Sequence, residues 1–372
     1  MEYKLNPDRN KPWNELPTLP IDSKYYITIP ILEQLAKTKF SIGRLQGRSI
    51  AIPNQGILVN SISLQEAKAS SAIENIFTTD DELYKAFSQT QPAEQLSGTA
   101  KEVLKYREAI WEGFSDIQGK ENFDINYFEK VYRVITGHND GMRPPFAQTY
   151  IKTGGSGPNA GKPFYTPPRG EGIIENKMDN FIHFLNDDDN YPIDPLLKMC
   201  IAHFQLEAIH PFRDGNGRTG RVFNIHFLTK KGLLDYPILY LSRYILEHKD
   251  DYYQHLAGVT QRGAWENWII YLLKAVEVTA HITYTKITDI LNVKDAILKE
   301  IQNNASFKNP EFIVSALFTQ PYTTVKHLQT EFSENTARKY LDKLAEMKVV
   351  EKKISVGKAY YLNVELTRIL AE

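Results

Sequence analysis

The chain has 372 residues, 42% of them hydrophobic and 24% charged, with a formal net charge of −1. That length exceeds one ordinary compact core and points to two or three domains. A near-neutral balance excludes a global pull toward nucleic acid or acidic lipid, and a single cysteine, Cys200, excludes an internal disulfide framework or a multi-thiolate zinc site.

Residues 1–22 read as an extended arm lying over the body, because Pro7, Pro12, Pro17 and Pro20 block helix. The opening MEYKLNPDRNKPWNELP is polar and lacks the apolar core of a signal peptide. No stretch reaches the roughly 20 apolar residues of a membrane span. A cytoplasmic protein with no membrane partner is therefore expected.

From Tyr26 the spacing turns helical through ILEQLAKTKFSIGRLQGR. Pro53 and Gly56 mark a loop, and a second helix runs from about Ser61 to Phe77. Thr79 and Asp80 then cap a helix over DELYKAF. Two more amphipathic helices fit LSGTAKEVLKYREAIWEGF and NFDINYFEKVYRVIT. Residues 141–170 are rich in Gly and Pro. Within them, QTYIK and PFYT flank a Gly/Ser/Asn/Pro tip, which predicts a β-hairpin. A long irregular segment in a helical domain is more often functional than idle.

Helices return with GIIENKMDNFIHFLND and PLLKMCIAHFQLEAIHPF, where Cys200 is expected to pack in a core. After a turn, GRTGRVFNIHFLTKKG opens another helix. One helix fits SRYILEHKDDYYQHLAGVTQ. A long one, expected to break, spans the run from Ala264 to Ile301. NNASFKNP, 303–310, reads as a linker. The tail predicts helices over EFIVSALF, over TTVKHLQTEF capped by Thr323, and over SENTARKYLDKLAEMKVV capped by Ser333, then a strand–turn–strand in VEKKISVGKAYYLN. Three helices and a hairpin form a winged helix-turn-helix layout.

The chemistry gathers in HPFRDGNGRTGR, His210 to Arg221. Gly215 and Gly217 permit positive φ and close backbone approach. A helix opening near Arg218 presents free N–H groups and a positive dipole end, which suits phosphate. Asp214 suits a hard cation such as Mg²⁺. Asn216 offers an amide donor. Arg218 and Arg221 lie three apart on one helical face and can neutralise further phosphate charge. His210 stands at the pocket's edge as a candidate general base.

This segment is similar to the signature of the Fic (Fido) family, HxFx[DE]GNGRxxR. All eight specified positions match: His210, Phe212, Asp214, Gly215, Asn216, Gly217, Arg218 and Arg221. The resemblance implies a mainly α fold: a Fic-type helical core with a β-hairpin flap, a helical N-terminal region and the C-terminal winged helix. It divides the chain into 1–100 (arm and helical region), 101–302 (catalytic core) and 303–372 (winged helix). It implies transfer of AMP from ATP to Tyr, Thr or Ser hydroxyls of proteins, the chain itself among the candidate targets. His210 would be the base and Phe212 the anchor of the loop. Asp214 would hold Mg²⁺. Gly215, Asn216, Gly217, Arg218, Thr219, Gly220 and Arg221 would contact the nucleotide, with Tyr252 and Tyr253 beside it. The hairpin at 148–166 would be the flap that clamps the target by strand pairing.

The stretch SSAIEN holds Ser70, Glu74 and Asn75. It is similar to the inhibitory pattern [ST]xxxE[GN] of a Fic subgroup with an N-terminal brake. Ser70 and Glu74, four apart, would share a helix face. Glu74 would pair with Arg221 and occupy the place of the ATP γ-phosphate. Related enzymes with such a glutamate also remove AMP, and the sequence is compatible with that reverse activity.

A DNA-binding regulator acting through 303–372 is the competing reading. Arg338, Lys339, Lys343, Lys352, Lys353 and Lys358 would contact phosphates. Yet from Ala305 onward ten Lys/Arg face eight Asp/Glu, a net of only +2, low for a strong DNA binder. Oligomeric state is not legible, although a homodimer would suit regulation.

Overall fold

The computed structural model describes residues 3–50, 55–88, 98–152, 163–303, 307–355 and 358–371. Among them the protein is mainly helical. The N-terminal arm does lie over the body. The backbone N–H of Asn6 bonds Thr260 (2.9 Å) and that of Trp13 bonds Thr166 (3.1 Å). Trp13, Leu16 and Leu19 are buried.

Helix α1 (Ile29–Ile50) follows, then α2 (Gln55–Ile73) and α3 (Asp80–Ser88). Two boundaries differ from the sequence reading. Gly56 sits inside α2, while Pro53 lies outside the described residues. Helix α2 stops at Ile73, so Glu74 and Asn75 form a turn beyond it, with Asn75 in the left-handed region (φ 63°). Asparagine tolerates that conformation better than most residues. The expected cap of α3 is present as a box: Thr79 Oγ1 accepts from the Glu82 N–H, and the Glu82 carboxylate accepts from the Thr79 N–H.

Helices α4 (Thr99–Gln118) and α5 (Ile125–Thr136) pack together, and α5 ends on Gly137 at φ 73°. Strands β1 (Ile151–Lys152) and β2 (Pro163–Tyr165) pair antiparallel, as the hairpin reading expects. Its Gly/Ser/Asn/Pro tip lies outside the described residues. Then come α6 (Ile173–Asn186), α7 (Pro195–Ile209) and α8 (Asn216–Lys230). Nearly every side chain of α7 and α8 is buried, including Cys200. These two helices form the centre, and α8 packs against α2, α4, α5, α7 and α9 (Leu241–Glu247).

The single helix expected over 242–261 is two, α9 and α10 (Lys249–Arg262), joined at His248. The long helix expected to break is continuous: α11 (Trp265–Gln302) runs 38 residues. It contains neither Gly nor Pro, and a kink needs some such cause. Helix α1 packs along it, with Thr38 Oγ1 bonding the Leu273 carbonyl at 3.0 Å.

In the tail, α12 (Pro310–Thr319) is capped by Asn309, which belongs to the expected linker. Phe307 of that linker is buried against Tyr340. The predicted helix over 323–332 is one 3₁₀ turn, Val325–Leu328, capped by Thr324 rather than Thr323. Thr323 belongs instead to strand β3 (Tyr322–Thr323). Helix α13 (Glu334–Glu346) is capped by Ser333 as expected. Strands β4 (Glu351–Ser355) and β5 (Lys358–Leu362) form an antiparallel three-stranded sheet in the order β3-β5-β4, and α14 (Val364–Ala371) closes the chain. The tail rests on α2 and α3, where the Tyr322 hydroxyl donates to Asp81 (2.6 Å). No helix among the described residues is long and apolar enough to cross a membrane.

Candidate active site

The site forms where α7 ends and α8 begins. His210 caps α7 in the left-handed region (φ 50°, ψ 59°), its N–H returning to the Leu206 carbonyl at 2.9 Å. Arg143 braces this turn. Its buried guanidinium donates to the carbonyls of His210 (2.7 Å), Ile209 (3.3 Å) and Pro168 (2.5 Å). Burial and the nearby Arg143 charge push the His210 pKa down to about 4. The imidazole is therefore neutral at physiological pH, the form a proton acceptor needs.

Phe212 is fully buried and stacks on Tyr132, centroids 4.4 Å apart and planes 3° from parallel. That stack fixes the loop in the core. Asn216 completes it: its side-chain oxygen accepts from the Phe212 N–H and its amide donates to the Phe212 carbonyl, both at 2.9 Å. The expected free amide donor is thus committed to shaping the turn. Gly215 holds φ 68° where a Cβ would stand 2.9 Å from Thr136.

The two arginines diverge. Arg218 lies between Glu102 (3.3 Å) and Asp214 (3.6 Å), and the Asp214 side chain is 70% exposed. Both side chains are buried, Arg218 5% and Arg221 1% exposed, but Arg221 turns toward α2. Its Nε donates to Ser70 Oγ at 2.7 Å. Its Nη2 donates to the Ser70 carbonyl at 3.0 Å and to Glu74 Oε1 at 2.8 Å. Burial opposes its charge, yet Glu74 and the surrounding tyrosines hold its pKa above the ordinary value. The expected contact between Glu74 and Arg221 is therefore present, although Glu74 projects from the turn after α2 rather than from its face. Gly217 makes room for it, since a Cβ there would stand 2.7 Å from Glu74 Oε1. Asn75 faces Lys249 instead (3.4 Å).

His210, Gly217, Arg221, Glu74, Tyr252 and Tyr253 all open onto one cleft of about 730 Å³, with β1 and β2 contributing Ile151, Phe164 and Tyr165. Asp214 and Arg218 stay outside its lining. Thr219 and Gly220 are buried and also lie outside that lining, Gly220 facing Glu207 and His203 of α7. Tyr252 doubles as core: it is 2% exposed, packs on Trp268, and its hydroxyl pairs with His203 Nε2 at 2.9 Å. Tyr253 stands edge-on to Phe164 of β2. Sequence reasoning missed Glu207, which lines the same cleft, and Arg143. The signal for Glu207 was available, because it is an acid in the otherwise largely apolar run of α7.

A buried helix–turn–helix carrying HPFRDGNGRTGR, flanked by a short hairpin, defines a Fic-type helical fold. The Fic/DOC family N-terminal model matches residues 32–115 and the Fic/DOC family model matches residues 122–228. The chain belongs to the Fic/DOC family. It is 24% identical over 192 residues to a protein adenylyltransferase Fic of Drosophila grimshawi, covering 49% of this chain and 36% of that one. It is 30% identical over 148 residues to protein adenylyltransferase fic-1 of Caenorhabditis elegans, covering 39% and 28%. The chain thus spans only about a third of these relatives' lengths. A Fic family protein from Desulfovibrio desulfuricans G20 shares the fold at a TM-score of 0.56 and 19% identity, covering 91% of this chain and 97% of that one.

Proposed function

We propose that this chain transfers AMP from ATP to a Tyr, Thr or Ser hydroxyl of a protein, its own chain included, and that Glu74 restrains the reaction. The observation that carries this reading is the single cleft onto which neutral His210, Gly217 and the buried guanidinium of Arg221 all open. The names of the Drosophila and Caenorhabditis relatives agree with it.

In the proposed reaction His210 takes the proton of the target hydroxyl. The hydroxyl oxygen then bonds to the α-phosphorus, the bond to the bridging oxygen breaks, and pyrophosphate leaves. The free N–H groups at the start of α8 (Asn216–Lys230) face the transferred phosphoryl with the positive end of the helix dipole. Arg221 meets the outer phosphates once freed from Glu74. Little covalent chemistry is asked of the protein, and alignment and charge stabilisation supply the rate. Mg²⁺ commonly binds through one or two carboxylates, phosphate oxygens and water. One exposed carboxylate at the same turn, Asp214, fits that pattern. The ion would neutralise charge on the leaving pyrophosphate. The β1–β2 hairpin offers strand edges for pairing with a target segment, next to His210.

In the locked state Glu74 occupies the guanidinium that ATP needs. The same carboxylate would orient water for removal of AMP. The three-part division at 100 and 302 stands as part of this reading, as does the winged-helix role of the tail. We read that tail as a protein-interaction module. Of the six basic residues named for DNA, Arg338 is paired with Glu334, Lys352 with Asp342 and Lys353 with Glu351, and the tail's net charge of +2 is low for a strong DNA binder. A homodimer would suit such regulation, and the lone buried Cys200 agrees with a reducing cytoplasm.

ATP labelled on its α- or its γ-phosphate tests the reaction in the Glu74→Gly variant. The reading expects protein-bound α label and no γ label. The reverse pattern would make the chain a kinase and overturn it.

A further inference from the structure

Gly217 and Gly220 lie three apart on one face of α8, and a carboxylate crosses each. A Cβ at Gly217 would stand 2.7 Å from Glu74 Oε1, and one at Gly220 would stand 2.5 Å from Glu207 Oε1. Arg221 follows Gly220 directly, and all three charged side chains line one cleft. Two acids therefore line the cleft that holds one guanidinium. Only Glu74 is bonded to it; Glu207 Oε1 is buried with no hydrogen-bond partner, in a residue 8% exposed.

We infer that Glu207 is a positioning residue for the nucleotide: once Glu74 leaves, its carboxylate takes the Arg221 guanidinium and holds it toward the incoming outer phosphates. This rests on the cleft being the ATP site. Unlocking would leave a guanidinium that is 1% exposed with Glu66, which burial pushes up to about 7, as the nearby acid besides Glu207, and a buried cation short of countercharge is strongly unfavourable. Glu207, on the same cleft and under the electrostatic influence of Arg221, would lessen that cost. The bonds that hold Arg221 now use Nε and Nη2; loss of Glu74 frees one N–H of Nη2, while both bonds to Ser70 remain. Nη1, which sits 3.0 Å from the Gly217 Cβ position, belongs to the same fork of donors.

Proton balance fits this exchange. Burial raises the Glu207 pKa to about 7, Arg221 lowers it, and Glu74 raises it. With Glu74 in place, Glu207 tends to keep its proton and the two acids avoid repulsion. With Glu74 gone, one raising influence is lost and Glu207 ionises more readily beside Arg221. Of the other groups around Arg221, His203 is pushed down to about 3 and His210 to about 4, Tyr252, Tyr253, Tyr106 and Tyr165 are pushed up, and Glu66 is raised by burial to about 7, a titration common to every variant compared below. The unlocked state thus binds fewer protons at Glu207, so rising pH through about 7 favours it.

The test is ATP binding by calorimetry in the full chain, comparing Glu74→Gly with the double variants that add Glu207→Gln or Glu207→Asp. The Gln variant should bind about tenfold more weakly, the loss of one charge-assisted hydrogen bond, with Asp recovering part of it. Affinity of Glu74→Gly should rise with pH and then level off, whereas the Gln variant lacks that rise. Titration of ATP itself contributes to both profiles equally and cancels in the comparison. Equal affinity and parallel pH profiles for Glu and Gln would overturn the inference. Because binding is read directly, a variant that binds ATP without transferring AMP would sink the proposed reaction and leave the Glu207 comparison intact.

Discussion

Replacing Glu74 by glycine removes one contact from a buried cation. The Glu74–Arg221 bond is 2.8 Å long, with the arginine side chain 1% and the glutamate side chain 34% exposed. A hydrogen bond to a charged group contributes about 1.5–3 kcal/mol, and partial exposure of the glutamate trims that to about 1–2 kcal/mol. If that contact holds the locked state, its loss shifts the balance toward nucleotide binding by roughly 5- to 30-fold. Incorporation of α-labelled AMP into the chain itself, wild type beside Glu74→Gly, measures the shift at subsaturating ATP. Ser70 still holds Arg221 through Nε and Nη2 in the variant, so the guanidinium remains ordered. Equal labelling of the two proteins would refute the reasoning that Glu74 is a brake.

Three other outcomes follow from the same geometry. His210→Ala in the brake-free background should abolish AMP transfer while calorimetric ATP binding persists; retained labelling would move the base elsewhere. The lowered pKa of His210 keeps the base form dominant down to about pH 4. At saturating ATP the transfer rate should therefore show no acid limb at the ordinary imidazole value near 6.5, and a limb there would contradict the assignment. Arg143→Met strips donors from the His210, Ile209 and Pro168 carbonyls. Denaturant unfolding should show a loss of about 3 kcal/mol or more, and a loss under about 1 kcal/mol would mean the turn holds itself.

Much of the helical core and nearly all of the motif were legible in the sequence. The twelve residues from His210 carry their geometry locally: a Gly at positive φ, a helix start and a buried Phe anchor. The apolar spacing gave α4 (Thr99–Gln118), α5 (Ile125–Thr136), α6 (Ile173–Asn186) and α13 (Glu334–Glu346) within a few residues. What failed was set by tertiary context. The local stop signal past Ile73 is Asn75, a weaker left-handed cap than Gly, and the apolar run on to Phe77 masked it, so Glu74 was assigned to a helix face it does not occupy. Asn216 reads as a ligand donor until its loop closes on it. Arg218 and Arg221 share a spacing and are both buried, yet Glu102 of α4 pairs with one and Ser70 of α2 with the other. Glu207 was passed over because an acid in a helix is usually solvated, whereas α7 is buried almost throughout.

The most direct test of the account is the intact mass of the Glu74→Gly chain after incubation with ATP and Mg²⁺. AMP transfer onto the chain itself predicts a gain of one AMP moiety, absent when His210→Ala is added. A gain of one phosphate, or no gain on the chain or on any protein supplied with it, would contradict it.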